Sequence, residues 1–174
     1  MKTLVIVSHP YPEKSVAISK LSQIAATVPD VTVRHLESLY GNDLSKFDIA
    51  AEQSAADEVD RIVFMFPVHW FNLTPMLKAY LNEVWTYGWA FGPEGKALSG
   101  KEMLVVTTAG ASQFTYSAEG LIESSIDAVL TPMKASALYV GMNYSQPLAF
   151  FDAMGASPEK LEEMQSALLA RLAA

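Results

Sequence analysis

The chain has 174 residues, of which 51% are hydrophobic and 18% are charged, and its net charge is −7. This composition is typical of one globular domain, residues 1–174, which buries roughly 70% of its unfolded surface. An acidic chain suits neither nucleic acid nor anionic membrane, and the absence of cysteine excludes disulfides and thiolate chemistry. No apolar run reaches the ~20 residues of a membrane span. The N-terminus lacks a signal-peptide core, so we expect a cytoplasmic protein.

Short apolar runs alternate with amphipathic segments along the chain. The predicted strands are Leu4–Val7, Val31–Leu36, Ile62–Phe66, Met103–Thr107 and Ala137–Val140. The predicted helices follow Ser15, span Ile49–Ala56, Met76–Trp85 and Gly120–Leu130, and begin at Ser157-Pro158. Continuous apolar runs indicate strands covered on both faces, and a hydroxyl residue before proline is a typical helix start. The alternation predicts an α/β, flavodoxin-like three-layer sandwich with a five-stranded parallel sheet of order 2-1-3-4-5 and helices on both faces.

Three loops directly after predicted buried strands hold most of the unusual polar and aromatic residues. They cover residues 8–15, 67–72 and 107–116. Because the carboxyl ends of parallel strands meet at one sheet edge, we expect these loops to converge there. The strand order reverses at this edge between strands 1 and 3, and this position is called the switch point. His9, Lys14 and Ser15 at a helix N-terminus suit a phosphate, and the aromatic side chains of the second loop suit a planar ring. The small residues of the third loop let the backbone approach a ligand.

Each loop also has an ordinary structural explanation: a helix cap, a cover for the sheet edge or subunit contact, and a turn with a half-buried tyrosine. Their coincidence at one edge favours a ligand site for a flat aromatic cofactor that carries phosphate. The sequence contains no G-x-G-x-x-G, P-loop or G-x-S-x-G motif, which removes the main competing site types. His9 and His69 are able to approach one another across the switch point, but a metal needs more clustered ligands, and we expect no metal.

The motifs of the chain resemble those of the flavodoxin-like NAD(P)H:quinone oxidoreductases. The matching stretches are His9-Pro10 with Ser15, Ala51-Glu52-Gln53, Phe66–Phe71, Pro75-x-Leu77-Lys78, Gly88–Gly92, Thr107–Gly110, Tyr116-Ser117-x-Glu119-Gly120 and Gly141-Met142. They run from the first strand past the fifth. The length and the Gly-Trp-Ala-Phe-Gly stretch are most similar to the short bacterial branch, which includes ancillary subunits of glutathione-gated potassium efflux systems.

The resemblance implies a homodimer with a flavin in each of two interfacial sites, and hydride transfer from NADH or NADPH through the flavin to a quinone. It assigns the flavin's phosphate side to His9, Ser15, Val16 and Ala17. It assigns the ring to Pro67, Val68, His69, Trp70 and Phe71, and the pyrimidine end to Thr107, Thr108, Ala109 and Gly110. Tyr116 matches the family tyrosine near the ring or substrate oxygen, and Tyr116 and His69 are the expected catalytic residues.

The chain departs from the family pattern at several positions. Ile122 stands where the larger animal enzymes have a histidine six residues after the tyrosine, which leaves water or Tyr116 to supply the proton. Ala17 replaces a frequent asparagine and Ala109 a frequent glycine. The chain also lacks the C-terminal extension that encloses the adenine side of FAD, which favours FMN while leaving FAD possible.

Two other functions are compatible with these motifs. The aromatic stretch Tyr87–Phe91 lies in an unusually long connection and suits a regulatory flavin-binding subunit that docks onto a potassium efflux transporter. A one-electron flavodoxin-type carrier is less favoured, since such carriers surround the flavin with acidic residues and the second and third loops contain none.

Overall fold

A computed structural model describes all 174 residues and contains one six-stranded parallel sheet. The strands are β1 (Thr3–Val7), β2 (Val31–His35), β3 (Arg61–Pro67), β4 (Glu102–Thr108), β5 (Asn143–Tyr144) and β6 (Leu148–Phe150). The helices are α1 (Ala17–Ala25), α2 (Leu36–Tyr40), α3 (Ile49–Asp57), α4 (Pro75–Val84), α5 (Ile126–Val129), α6 (Thr131–Tyr139) and α7 (Pro158–Ala173). The strand order β2-β1-β3-β4-β5, with β6 also paired to β4, confirms the flavodoxin-like topology. None of the helices is both long and apolar enough to cross a bilayer.

Two hydrophobic clusters cover the two faces of the sheet. Because successive side chains of a strand point to opposite faces, β3 sends Phe64 into one cluster and Val63 into the other. The first cluster packs α4 and α6 against the sheet, and the second packs α1 and α7 against it. Burial on both sides explains why β1, β3 and β4 are continuous apolar runs.

The predicted fifth strand, Ala137–Val140, is wrong, because all but its last residue belong to α6. Met133 and Ala137 are four residues apart and fully buried, so they form the inner face of a helix, whereas Leu138 and Tyr139 of the same apolar run are exposed. The fifth position of the sheet is filled instead by β5 and β6, which pair with the two ends of β4. Pro147 lies between them, and proline has no N–H to donate to a ladder.

The predicted helix Gly120–Leu130 is also wrong over most of its length. Only Ile126–Val129 is helical, because the Ser125 hydroxyl accepts the Ala128 N–H at 3.1 Å and so begins the helix there. Glu123 has a φ of 50°, which a helix does not allow. A second helix, α6, starts directly afterwards with a proline in its first turn.

A partly buried ion pair joins β2 to α3. Glu52 is fully buried and accepts hydrogen bonds from Arg34 Nε and Nη2 and from the Tyr40 hydroxyl. We expect Glu52→Gln to lower the free energy of unfolding by about 2–3 kcal/mol, because it leaves the partly exposed Arg34 without its counter-charge. Urea denaturation measures this loss. Lys46→Gln, which breaks an exposed pair with Asp43, is the matched control, and an equal loss in both variants would contradict the prediction.

Candidate functional site

The carboxyl ends of β1, β3 and β4 border a cleft of about 300 Å³, within the range of small-molecule sites. The predicted site residues that line it are His9, Ser15, Val16, Ala17, Pro67, Val68, His69, Thr108 and Gly110. Lys14, Ile18, Ala153, Met154 and Gly155 complete the lining. All three predicted loops therefore contribute to one cleft at one sheet edge, where switch-point ligands bind.

The start of α1 leaves three backbone N–H groups free on the cleft wall. The N–H groups of Val16, Ala17 and Ile18 make no hydrogen bond within the chain. Val16 occupies the cap position predicted for Ser15, whose hydroxyl oxygen accepts the Ser19 N–H at 3.2 Å. Lys14 adds a positive charge beside them. Free N–H groups, a helix dipole and a cation together suit a phosphate.

Two histidines stand next to one another in the cleft. The ring centroids of His9 and His69 are 5.8 Å apart in an edge-to-face arrangement, so the two rings do approach one another across the sheet edge. The Tyr11 backbone N–H donates to His9 Nδ1 at 3.1 Å, which places the proton of a neutral His9 on Nε2. Burial lowers the pKa of both rings, and the nearby His69 lowers the pKa of His9 further. Both side chains are therefore neutral donors near pH 7.

Acidification is expected to destabilise the cofactor-free protein. Burial lowers the pKa of His9, His35 and His69 in the folded state, whereas histidines of the unfolded chain bind protons near pH 6.5. Unfolding then takes up protons, so the free energy of unfolding falls from pH 7 to about 5.5, above the range where carboxylates titrate. Urea midpoints between pH 7 and about 5.5 measure how steeply the free energy of unfolding depends on pH. His69→Gln should flatten this dependence, and an unchanged slope in that variant would contradict the assignment.

Residues 69–72 form a tight turn with an unusual backbone. His69 and Asn72 exchange both backbone hydrogen bonds, at 3.1 and 3.2 Å, and the central residues Trp70 and Phe71 have φ values of 46° and 59°. Two central residues with positive φ define a type I′ turn, which normally holds Asn-Gly. Large side chains there cost free energy, and such strain clusters at functional sites. Neither aromatic residue lines the cleft of a single chain, and Trp70 is 93% exposed.

Tyr116 lies beside this turn rather than in the cleft wall. Its ring centroid is 6.1 Å from that of Phe71 and 5.6 Å from that of Phe151. The ring is buried, which raises the pKa of the phenol, so it keeps its proton at neutral pH. Tyr116 is therefore a protonated phenol held between two aromatic side chains at the edge of the site.

The third loop contributes mainly backbone to the cleft. The Thr107 hydroxyl donates to the Phe66 carbonyl at 2.7 Å, so this predicted ligand residue is used inside the sheet. Ala109 is buried, and its N–H donates to the Phe150 carbonyl at 2.8 Å. Neither Thr107 nor Ala109 lines the cleft. The N–H groups of Gly110 and Ala111 have no acceptor within the chain and are free for a ligand.

The segment between β6 and α7 is the part of the site that sequence reasoning missed. Ala153, Met154 and Gly155 line the cleft although the stretch has no recognisable ligand motif. Two hydrogen bonds hold the segment beside the third loop: Asp152 N–H donates to the Ala111 carbonyl, and Ala153 N–H to the Ala109 carbonyl, both at 3.0 Å. The position of this segment depends on the pairing of β6 with β4, whereas the sequence pattern predicts the last strand at Ala137–Val140.

The sequence profile of a family described as having a flavodoxin-like fold matches residues 1–172. The chain belongs to this family. This flavodoxin-like protein is 38% identical over 161 residues to general stress protein 14 of Bacillus subtilis, covering 92% of the chain and 91% of the relative. It is 39% identical over 163 residues to the uncharacterized NAD(P)H oxidoreductase YdeQ of the same organism, covering 94% and 82%. The family membership predicted from the motifs is confirmed.

Solved structures agree on the fold and differ in their names. General stress protein 14 of Treponema denticola, solved in complex with FMN, has 35% identity and a TM-score of 0.89 over 99% of this chain and 97% of its own. An NADPH-quinone reductase from P. pentosaceus has 27% identity and a TM-score of 0.87 over 97% and 95%. A protein described as a thermophilic tryptophan halogenase from Streptomycin violaceusniger has 36% identity and a TM-score of 0.90 over 95% of both chains. These names disagree, so they do not determine the activity of this chain.

Proposed function

We propose that this protein is a flavin-dependent NAD(P)H oxidoreductase that binds FMN in the cleft and reduces a quinone. The main observation is that one sheet edge combines free N–H groups for a phosphate with an aromatic turn for a ring. Support comes from a relative named as an NAD(P)H oxidoreductase, a similar structure that holds FMN, and a more distant one named as an NADPH-quinone reductase. One flavin-binding domain over residues 1–174 and a cytoplasmic location belong to the same proposal.

The residues of the cleft fit FMN. The N–H groups of Val16, Ala17 and Ile18, with Lys14, would hold the phosphate. At the other side of the cleft, the free N–H groups of the third loop, beginning at Gly110, would meet the polar edge of the ring. Because these donors are backbone groups, they are fixed before the ligand arrives, which reduces the ordering that binding requires.

In the proposed reaction the cofactor and the residues of the chain have different roles. FMN, when bound, supplies hydride acceptance from NADH or NADPH and two-electron delivery to an acceptor. Tyr116 donates a hydrogen bond toward the quinone oxygen, where negative charge develops. His69, neutral at pH 7, is a second donor beside the ring. Ile122 offers no proton-transfer group, so the quinone takes its protons from water or through Tyr116.

We infer that a second copy of the chain completes the site. In one chain Trp70 is 93% exposed, and an apolar groove of about 520 Å³ lies between α4 and α6. Trp85, Phe91 and Tyr139 line this groove, and aromatic residues are enriched at subunit interfaces. The transporter-docking alternative would use the same surface, but none of the relatives described above is named as a transporter subunit, so it has no support from them.

Steady-state turnover tests the proposed activity. FMN-loaded protein is mixed with NADH or NADPH and the quinone menadione, and nucleotide oxidation is followed with free FMN at the same concentration as the control. We expect turnover well above that control with at least one nucleotide. A flavin-loaded protein that oxidises neither nucleotide would contradict the proposal.

A further inference from the structure

One methionine differs from all the others in its environment. The chain has eight methionines, and six of them are at most 3% exposed: Met65, Met76, Met103, Met133, Met142 and Met164. Met1 is the first residue and is 60% exposed. Met154 is 86% exposed although it lies inside the chain. Oxidation of methionine follows access to the sulfur, so Met154 is the most reactive internal methionine on structural grounds.

Met154 lies in the wall of the proposed flavin cleft. A Cβ atom built on Gly110 would be 3.4 Å from Met154 Cε, so the thioether end rests against the Gly110 backbone. The hydrogen bonds of Asp152 and Ala153 to the third loop fix the backbone on which Met154 stands. The flexible side chain is thus held at the cleft mouth beside free N–H groups, and a ligand filling the cleft would cover it.

We propose that Met154 is a peroxide-sensitive modification site whose reactivity depends on whether FMN occupies the cleft. The inference rests on the proposed function, because FMN is the ligand that covers the side chain. Hydrogen peroxide transfers one oxygen atom to the thioether sulfur, the O–O bond breaks, and the products are methionine sulfoxide and water. The sulfur is oxidised by two electrons and the peroxide is reduced by two.

The modification changes the chemistry of the cleft wall. A sulfoxide is polar and its oxygen is a hydrogen-bond acceptor, whereas the thioether is apolar. Because Met154 lies beside Gly110, that oxygen would be near the N–H groups of Gly110 and Ala111. These groups have no acceptor in the chain, and FMN would use them. Oxidation of the empty protein therefore weakens the later binding of FMN, and methionine sulfoxide reductase chemistry would reverse the effect.

Peptide mass spectrometry after timed hydrogen peroxide treatment tests the accessibility, in protein with and without FMN. Without FMN, the peptide that contains Met154 should gain one oxygen, about 16 Da, well before the six buried methionines react. FMN should slow oxidation of Met154 at least fivefold while leaving Met1 unaffected, which makes Met1 the internal control. Equal rates for Met154 with and without FMN, or equal rates for Met154 and the buried methionines, would overturn the inference.

A fluorescence titration with FMN tests the consequence. Peroxide treatment of the empty wild-type protein should raise the FMN Kd about tenfold, equivalent to about 1.4 kcal/mol. Met154→Leu keeps an apolar side chain without the sulfur, so its Kd should not change on treatment. An equal rise in both proteins would overturn the inference. If the untreated protein fails to bind FMN, the proposed function itself is wrong. If the untreated protein binds FMN but FMN does not slow the oxidation of Met154, only the inference about Met154 is wrong.

Discussion

Replacing Trp70 and Phe71 by Asn and Gly is expected to make the cofactor-free protein more stable and its FMN binding weaker. Both residues have positive φ in a type I′ turn, where Asn-Gly fits without strain. The variant relieves the strain of two residues but loses the contact of Phe71 with Tyr116. The net effect should raise the free energy of unfolding by about 1–2 kcal/mol. For a chain of this size that corresponds to a melting temperature higher by about 3–6 °C.

The same double variant should raise the FMN Kd at least tenfold. In the proposed dimeric site it removes two aromatic side chains that would lie along the flavin ring, and aromatic contacts contribute about 0.5–1.5 kcal/mol each beyond their buried area. Thermal melts and FMN fluorescence titrations measure the two effects. Leu121→Asn, at a position that is 89% exposed and outside the turn, is the control for losing exposed apolar surface. Weaker binding without a stability gain would refute the strain argument, and a stability gain with unchanged binding would refute the role at the ring.

Tyr116→Phe is expected to slow quinone reduction by about 10- to 100-fold, because the proposed role of the Tyr116 hydroxyl is to donate a hydrogen bond to charge developing on the quinone oxygen. The phenyl ring keeps the contacts with Phe71 and Phe151, so the shape of the site is preserved. Hydride acceptance from NADH or NADPH involves no charge on a quinone oxygen and should change less than about threefold. Since burial raises the pKa of Tyr116, the wild-type rate should not decline in the alkaline range until the pH exceeds the ordinary tyrosine pKa near 10.

Stopped-flow absorbance separates the two half-reactions and so tests the tyrosine directly. Tyr144→Phe is the matched control, because burial raises the pKa of Tyr144 to about 12 and this residue lies on β5, outside the cleft. We expect the control to leave both half-reactions unchanged. Equal slowing of both half-reactions in Tyr116→Phe would mean that the residue positions the cofactor and does not assist the quinone.

The parts of the fold that sequence predicts well are those whose signals are local. β1, β3 and β4 are buried on both faces and therefore appear as uninterrupted apolar runs. Parallel pairing then brings their carboxyl ends together, so the convergence of the three loops follows from the sequence alone. The region after β4 has weaker signals: Ala137–Val140, at the end of α6, is a short apolar run like that of a strand, and the last sheet position is divided between two short strands.

The candidate site was predictable in its location but not in its details. The phosphate side follows from a recognisable helix start, whereas the positive φ values of Trp70 and Phe71 cannot be inferred from a turn whose two central positions lack Asn and Gly. Thr107 looked like a ligand residue because hydroxyl groups suit polar ligands, yet its hydroxyl bonds to a neighbouring strand. The sequence around Met154 does not indicate a ligand site, because the position of Met154 in the fold depends on the last strand, β6.

Anaerobic reduction of FMN-loaded protein tests the central claim most directly. The protein is titrated with NADH or NADPH, and one equivalent of a quinone is then added while the visible absorbance of the flavin is recorded. We expect one equivalent of nucleotide per flavin to bleach the absorbance and one equivalent of quinone to restore it, as two-electron transfer requires. A flavin spectrum that neither nucleotide changes, or failure of the protein to retain FMN at all, would contradict the account.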